Sequence, residues 1–189
     1  MRPVARLADY TGAFYAAWMI SVVIATQNAA GTLAATLSAL VPAAVNHLVR
    51  EVVIADGGST DETLEIVEDS GARRVAGSLA EGCAAAKGPW LLILPADVRL
   101  MPEWEAAARD HIEHHAGEAG WFRLALDDHR VSARLKEAVA GFGPGGRRGL
   151  LLTKRLFDSV GGDPATLDRR LGPKLRPLAA RAVQVIRES

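Results

Sequence analysis

The chain has 189 residues, with 22 Lys and Arg balanced by 22 Asp and Glu and a hydrophobic fraction of 49%. That length suits one domain with a core of its own, and an ordinary apolar share at zero net charge excludes a disordered chain. A uniform polycation that coats nucleic acid is excluded too, and a lone cysteine, Cys83, leaves no internal disulfide and fits a reducing cytoplasm.

Residues 1–18 read as an N-terminal extension. No apolar run reaches the roughly 20 residues of a membrane span. Arg2 and Arg6 do not open a signal peptide, because Asp9 and Tyr10 interrupt any apolar region behind them. Residues 19–25 (MISVVIA) are short, β-branched and nearly all apolar, the pattern of a strand buried on both faces of a parallel sheet. After the turn at Gln27-Asn28, Leu33, Leu37 and Leu40 predict a helix that Thr32 caps and that Pro42 closes or closely follows. Residues 51–55 (EVVIA) repeat the strand, Asp56-Gly57-Gly58-Ser59 the turn, and 60–70 the helix, opened by Thr60-Asp61-Glu62-Thr63. A short strand at 72–76 and a small helix at 79–87 come next. The most apolar strand, 90–94 (WLLIL), then runs into Pro95-Ala96-Asp97. Residues 102–115 read as a helix and 121–126 as a strand.

Strands alternating with helices through short connections imply right-handed βαβ units and a mostly parallel sheet with helices on both faces. Ligands of such sheets bind outside the carboxyl ends of the strands. Those ends are Thr26-Gln27-Asn28, Asp56-Gly57-Gly58-Ser59 and Pro95-Ala96-Asp97, and two of the three carry a carboxylate. Other chemistry finds less support. Cys83 lies in an alanine-rich helix and reads as a small packed residue. His111 and His115 have metal-ligand spacing but no framing acid or cysteine, which favours an exposed helix face. The glycine-rich 141–146 (GFGPGG) lacks a following Lys-Ser/Thr, so it reads as a mobile loop over the site and not as a P-loop. No serine sits in a Gly-x-Ser-x-Gly setting, which argues against a hydrolase.

Residues 20–28 (ISVVIATQN), 52–63 (VVIADGGSTDET) and 88–97 (GPWLLILPAD) together resemble family 2 glycosyltransferases. A fainter likeness continues through 156–162 (LFDSVGG). The resemblance implies a single GT-A-like, Rossmann-like domain over 19–189, with a nucleotide-binding half at 19–104 and an acceptor-side half at 105–189. It implies transfer of a sugar, with inversion, from a nucleotide-sugar, UDP-linked, to an acceptor hydroxyl that the sequence leaves unknown. Thr26, Asn28, Asp56, Gly57 and Gly58 then hold the nucleoside, and Asp97 lies by the diphosphate. Family members carry Asp-x-Asp there, whose carboxylates hold Mg2+ or Mn2+. Here Pro95 replaces the first acid and only Asp97 remains. The late acidic motif is thinned in the same way, leaving Asp163 as the general base. A nucleotidyltransferase of similar fold would need a glycine-rich loop with a basic residue after the first strand, and that loop is absent.

The charge balance adds to this. Residues 1–98 hold 6 bases and 10 acids, residues 99–189 hold 16 and 12, and residues 147–187 alone hold 10 and 3. Where the subgroup that it resembles has Asp-Gln before a glycine, this chain has Arg147-Arg148 before Gly149. Two readings follow. Either Arg147 and Arg148 bind the diphosphate in place of a metal, or the chain is a catalytically impaired relative that binds nucleotide or a partner glycosyltransferase. A basic acceptor-side half also suits peripheral contact with the inner face of a membrane.

Overall fold

Ile20, Val22 and Ile24 of the first strand, β1 (Ile20–Thr26), pack into one buried cluster and Val23 into another, so the strand is covered on both faces. A computed structural model describes residues 17–125 and 147–186, apart from the side chains of Ala125 and Arg147. β2 (Val49–Asp56), β3 (Arg73–Ala76) and β4 (Trp90–Pro95) join β1 in parallel, in the order β3-β2-β1-β4. The sheet then continues with β7 (Arg147–Thr153), β6 (Ala119–Ala125), β8 (Leu175–Gln184) and β5 (Val98–Leu100). β7 is antiparallel to both β4 and β6, β8 is parallel to β6, and β5 is antiparallel to β8.

Helices cover both faces. On one, Leu33 of α1 (Ala30–Ser38), Ala43 of α2 (Val41–Val45), Val67 of α3 (Thr63–Asp69) and Trp104 of α5 (Trp104–His114) pack against Ile20, Ile24, Leu92 and Leu94. On the other, Cys83 of α4 (Leu79–Ala85), Phe157 of α6 (Lys154–Ser159) and Leu171 of α7 (Leu167–Leu171) pack against Val23, Val53, Leu91 and Leu152. This is the mostly parallel α/β sheet with helices on both faces that the sequence implies. Among the described residues no helix is long and apolar enough to cross a membrane.

The chain leaves β1 toward β2 and β3, then crosses back to place β4 on the other side of β1. Strand order therefore reverses between β1 and β4, and the crevice outside their carboxyl ends is the switch point where open α/β sheets bind ligands. Local detail departs from the sequence reading in three places. α1 begins at Ala30, with Thr32 in its first turn and no side-chain cap from Ala29. Pro42 follows α1 closely but does not end the helical region. It sits in the first turn of α2, where a missing N–H costs nothing. α4 has a full capping box that the sequence reading passed over, with the Ser78 side chain accepting from the Glu81 N–H and Glu81 reaching back to the Ser78 N–H.

Candidate functional site

A cleft of about 380 Å³ opens at the switch point. Ala25, Gln27, Asn28 and Ala29 line it from the end of β1, Thr32 from α1, and Ala96 and Asp97 from the turn after β4. The two loops are fixed differently. The Ala96 carbonyl accepts from the Thr36 hydroxyl at 2.9 Å, which ties the β4 turn to α1. Asp97 is half-buried. Its Oδ2 accepts from Gln184 Nε2 at 2.9 Å, and its carbonyl accepts from the Val185 N–H at 2.7 Å.

The lip on the other side of β1 is built by Asp56, which pairs with Thr26 across the β1–β2 ladder. Asp56 is 1% exposed. Its Oδ1 accepts the Ser59 N–H at 3.1 Å, and its Oδ2 accepts Arg74 Nη2 at 2.8 Å. Burial alone would raise its pKa, but the hydrogen bonds from Ser59 and Arg74 and the Arg74 charge outweigh it and hold the carboxyl below its usual range. Beside it, Thr26 is buried, and its Oγ1 has no hydrogen-bond partner among the described residues. A buried hydroxyl without a partner is costly, so a partner supplied by a ligand stabilises it. Gly57 donates its N–H to the Thr26 carbonyl at 2.9 Å, and Gly58 has φ +96°, a conformation that a side chain disfavours.

Asn28 lines the cleft but also has a local task. With φ +52°, it accepts the Thr60 N–H on Oδ1 at 2.8 Å and gives its own N–H to Ser59 Oγ at 3.0 Å. The first two loops are thereby latched together. The structure thus gathers Thr26, Asn28, Asp56, Gly57, Gly58 and Asp97 at adjacent carboxyl ends.

The remaining expected residues come from the later part of the chain. Asp163 caps a 3-10 turn (Pro164–Thr166), its Oδ1 accepting the Ala165 N–H at 3.0 Å and its Oδ2 the Thr166 hydroxyl at 3.2 Å. Arg148 is 3% exposed within β7, opposite Phe122. The side chain of Arg147 and the glycine-rich 141–146 lie outside the described residues.

Two residues were missed by the sequence reading. Arg74 comes from β3, whose register pairs Ala76 with Asp56, and Gln184 comes from the far end of the chain. Neither belongs to a motif, and only the sheet order brings them in. Cys83 is buried, and burial pushes its thiol up to about 12, so it is packed and inert. His111 is not on an exposed face as expected. It is buried against the edge of Trp90 at 5.9 Å between ring centroids.

An open sheet of this order, with helices on both faces and a polar cleft at its switch point, defines a GT-A-like α/β protein. The chain belongs to glycosyl transferase family 2, whose family model matches residues 21–161. Crystal structures of glucosyl-3-phosphoglycerate synthase from Mycobacterium tuberculosis share the fold. One, in complex with Mn2+, uridine-diphosphate and glucosyl-3-phosphoglycerate, is 22% identical at a TM-score of 0.60, over 96% of this chain and 78% of that one. Another, with Mn2+ and UDP-glucose, is 21% identical at 0.59, over 96% and 77%. A third structure of that enzyme is 20% identical at 0.61, over 100% and 78%. Among curated proteins no sequence matches significantly.

The metal that such relatives hold can be tested against the residues present. Among the described residues no three His, Cys, Asp or Glu side chains stand together. Pro95 offers no side-chain ligand, and one Asp97 oxygen is already engaged by Gln184. A single carboxylate oxygen is too little to hold a cation unaided. It suits Mg2+ or Mn2+ arriving on a diphosphate, whose phosphate oxygens and waters complete the shell.

Proposed function

We propose that the protein is a glycosyltransferase that moves a sugar from a nucleotide-sugar, UDP-linked, to an acceptor hydroxyl with inversion. The observation that carries this reading is the Asp56–Arg74 pair beside Thr26, at the lip of the switch-point cleft. A carboxylate acceptor and a guanidinium donor side by side complement the imide edge of uracil, which offers one N–H flanked by carbonyl oxygens. Thr26 Oγ1 adds a second group in want of a partner. The diphosphate then falls toward Asp97. When present, a cation brought in on it neutralises the charge that develops on the leaving group.

Asp163 is the proposed base. Two hydrogen bonds within its own turn fix its carboxylate, and each oxygen keeps a lone pair for an acceptor hydroxyl. Arg147 and Arg148 are the proposed cationic partners of the diphosphate, with Arg148 acting from a buried position. Two observations favour the second reading, a catalytically impaired relative that binds nucleotide or a partner glycosyltransferase. Pro95 removes one expected acid, and the capping role of Asp163 occupies another.

Calorimetric titration with UDP and GDP, with and without Mn2+, separates these readings. Mn2+-dependent UDP binding that Asp97→Ala lowers to its metal-free level supports the site as described. Metal-independent binding that is lost in Arg147→Ala/Arg148→Ala moves the diphosphate contact to the arginines. UDP binding without any release of UDP from a UDP-sugar selects the impaired reading. Absence of nucleotide binding under every condition overturns the donor site altogether.

A further inference from the structure

Gln184 stands at the end of β8, 87 residues along the chain from the carboxylate it touches. The antiparallel β5–β8 ladder pairs Val98 with Gln184, which sets the amide beside Asp97. Gln184 Nε2 donates to Asp97 Oδ2 at 2.9 Å, and the N–H of the next residue, Val185, donates to the Asp97 carbonyl at 2.7 Å. Side chain and backbone thus clamp the same residue. The amide has one workable orientation, since turning it over would set its oxygen against the carboxylate. Its Oε1 is buried and has no partner among the described residues, so the Asp97 contact is the one hydrogen bond recorded there for this side chain.

Asp97 faces the cleft, and among the described residues Oδ1 accepts no hydrogen bond. Pro95 leaves a lone carboxylate where the family resemblance has two. A lone carboxylate on a half-buried turn cannot be aligned by a neighbouring acid that shares its ligand, so something else has to orient it. We propose that Gln184 is a positioning residue of the diphosphate site: its hydrogen bond holds the Asp97 carboxylate in one orientation and leaves Oδ1 as the oxygen offered to the ligand. This rests on the reading of the cleft as a donor site and deepens it, because the last strand of the acceptor-side half then completes the nucleotide-binding half.

A double-mutant cycle tests it. UDP with saturating Mn2+ is titrated calorimetrically into the wild type, Gln184→Met, Asp97→Ala and the double variant. Methionine keeps the bulk of the side chain without a donor, and Gln184→Ala takes its place if thermal melting shows that Gln184→Met does not fold. Gln184→Met is expected to weaken UDP binding about tenfold, as loss of a partner that orients a ligating carboxylate does. In the Asp97→Ala background the same change should leave the affinity unaltered, because Gln184 acts through that carboxylate. An equal loss in both backgrounds, or none in the wild-type background, overturns the proposal while the donor site stands. A wild type that binds no UDP overturns the donor site and this proposal together.

Discussion

Asp56 is a buried carboxylate that the protein keeps ionised with a partner from another strand. Arg74 is 46% exposed and Asp56 fully buried at the side-chain level, so solvent screens one end of the pair and not the other. Removing Arg74 leaves a buried charge with one strong donor fewer. After discounting for that exposure, Arg74→Ala is expected to cost about 1 kcal/mol, read from the urea midpoint. The pH dependence has a definite sign. The Asp56 pKa is lowered in the folded state, so its contribution is present above the unfolded value near 3.9 and is lost as pH falls through the folded one. Arg74→Ala should therefore flatten the acid limb of a stability profile and weaken UDP binding at neutral pH. A variant that loses stability but binds UDP as the wild type does would confine Arg74 to a structural role. Asp56 itself was legible in the sequence, because a strand followed by Asp-Gly-Gly-Ser marks a carboxyl-end turn. Arg74 was not, because its meeting with Asp56 depends on β3 lying beside β2.

Loop-to-loop hydrogen bonds do at the scale of elements what a cap does within one. The Ala29 N–H, at the start of α1, donates to Thr63 Oγ1 at 2.8 Å, and the Ala30 N–H to Asp61 Oδ2 at 3.1 Å. Helix α1 is therefore capped by side chains some 31 to 34 residues away, and not by the Thr32 that the sequence offers. Thr63→Val keeps the shape of the side chain but leaves the buried Ala29 N–H without an acceptor. It should cost about 1–3 kcal/mol in urea with an unchanged m-value, whereas Thr63→Ser should retain most of the stability. A larger loss in Thr63→Ser than in Thr63→Val would mean that packing of the methyl group, and not the hydrogen bond, holds the loops together. The same contrast explains which strands were visible. β1, β4 and the second half of β2 are nearly continuous apolar runs buried on both faces, a pattern that needs no tertiary information. β5 has three residues, and β7 opens on Arg147-Arg148-Gly149. β8 buries Leu178, Ala180 and Ala182 on alternate positions, but alanine has little strand preference, and Arg176 and Pro177 disguise its start.

Across the whole molecule, strands from the acidic half and strands from the basic half of the chain meet where β4 pairs with β7. Residues 1–98 supply β3, β2, β1 and β4, and the later residues supply β7, β6 and β8, so the zero net charge is a sum over two unlike halves. One buried titratable group lies where the halves meet. His111 on α5 packs against Trp90 of β4, and its Nε2 lies 3.3 Å from the Glu118 carbonyl just before β6. A carbonyl only accepts, so Nε2 carries the proton and the buried, unpartnered Nδ1 is bare. Burial is the main reason its pKa is lowered, with the His115 and Arg176 charges acting the same way and the Glu118 carbonyl and carboxylate opposing them. A histidine with a lowered folded pKa costs nothing above its unfolded value near 6.5. Below that value the unfolded chain takes the proton first, so stability falls as pH drops toward the folded pKa. Urea midpoints of the wild type should thus decline between pH 7.5 and 5.5, and those of His111→Leu should decline less over the same interval. If the wild-type slope persists in His111→Leu, protonation of His111 is not what loosens the contact between the two halves.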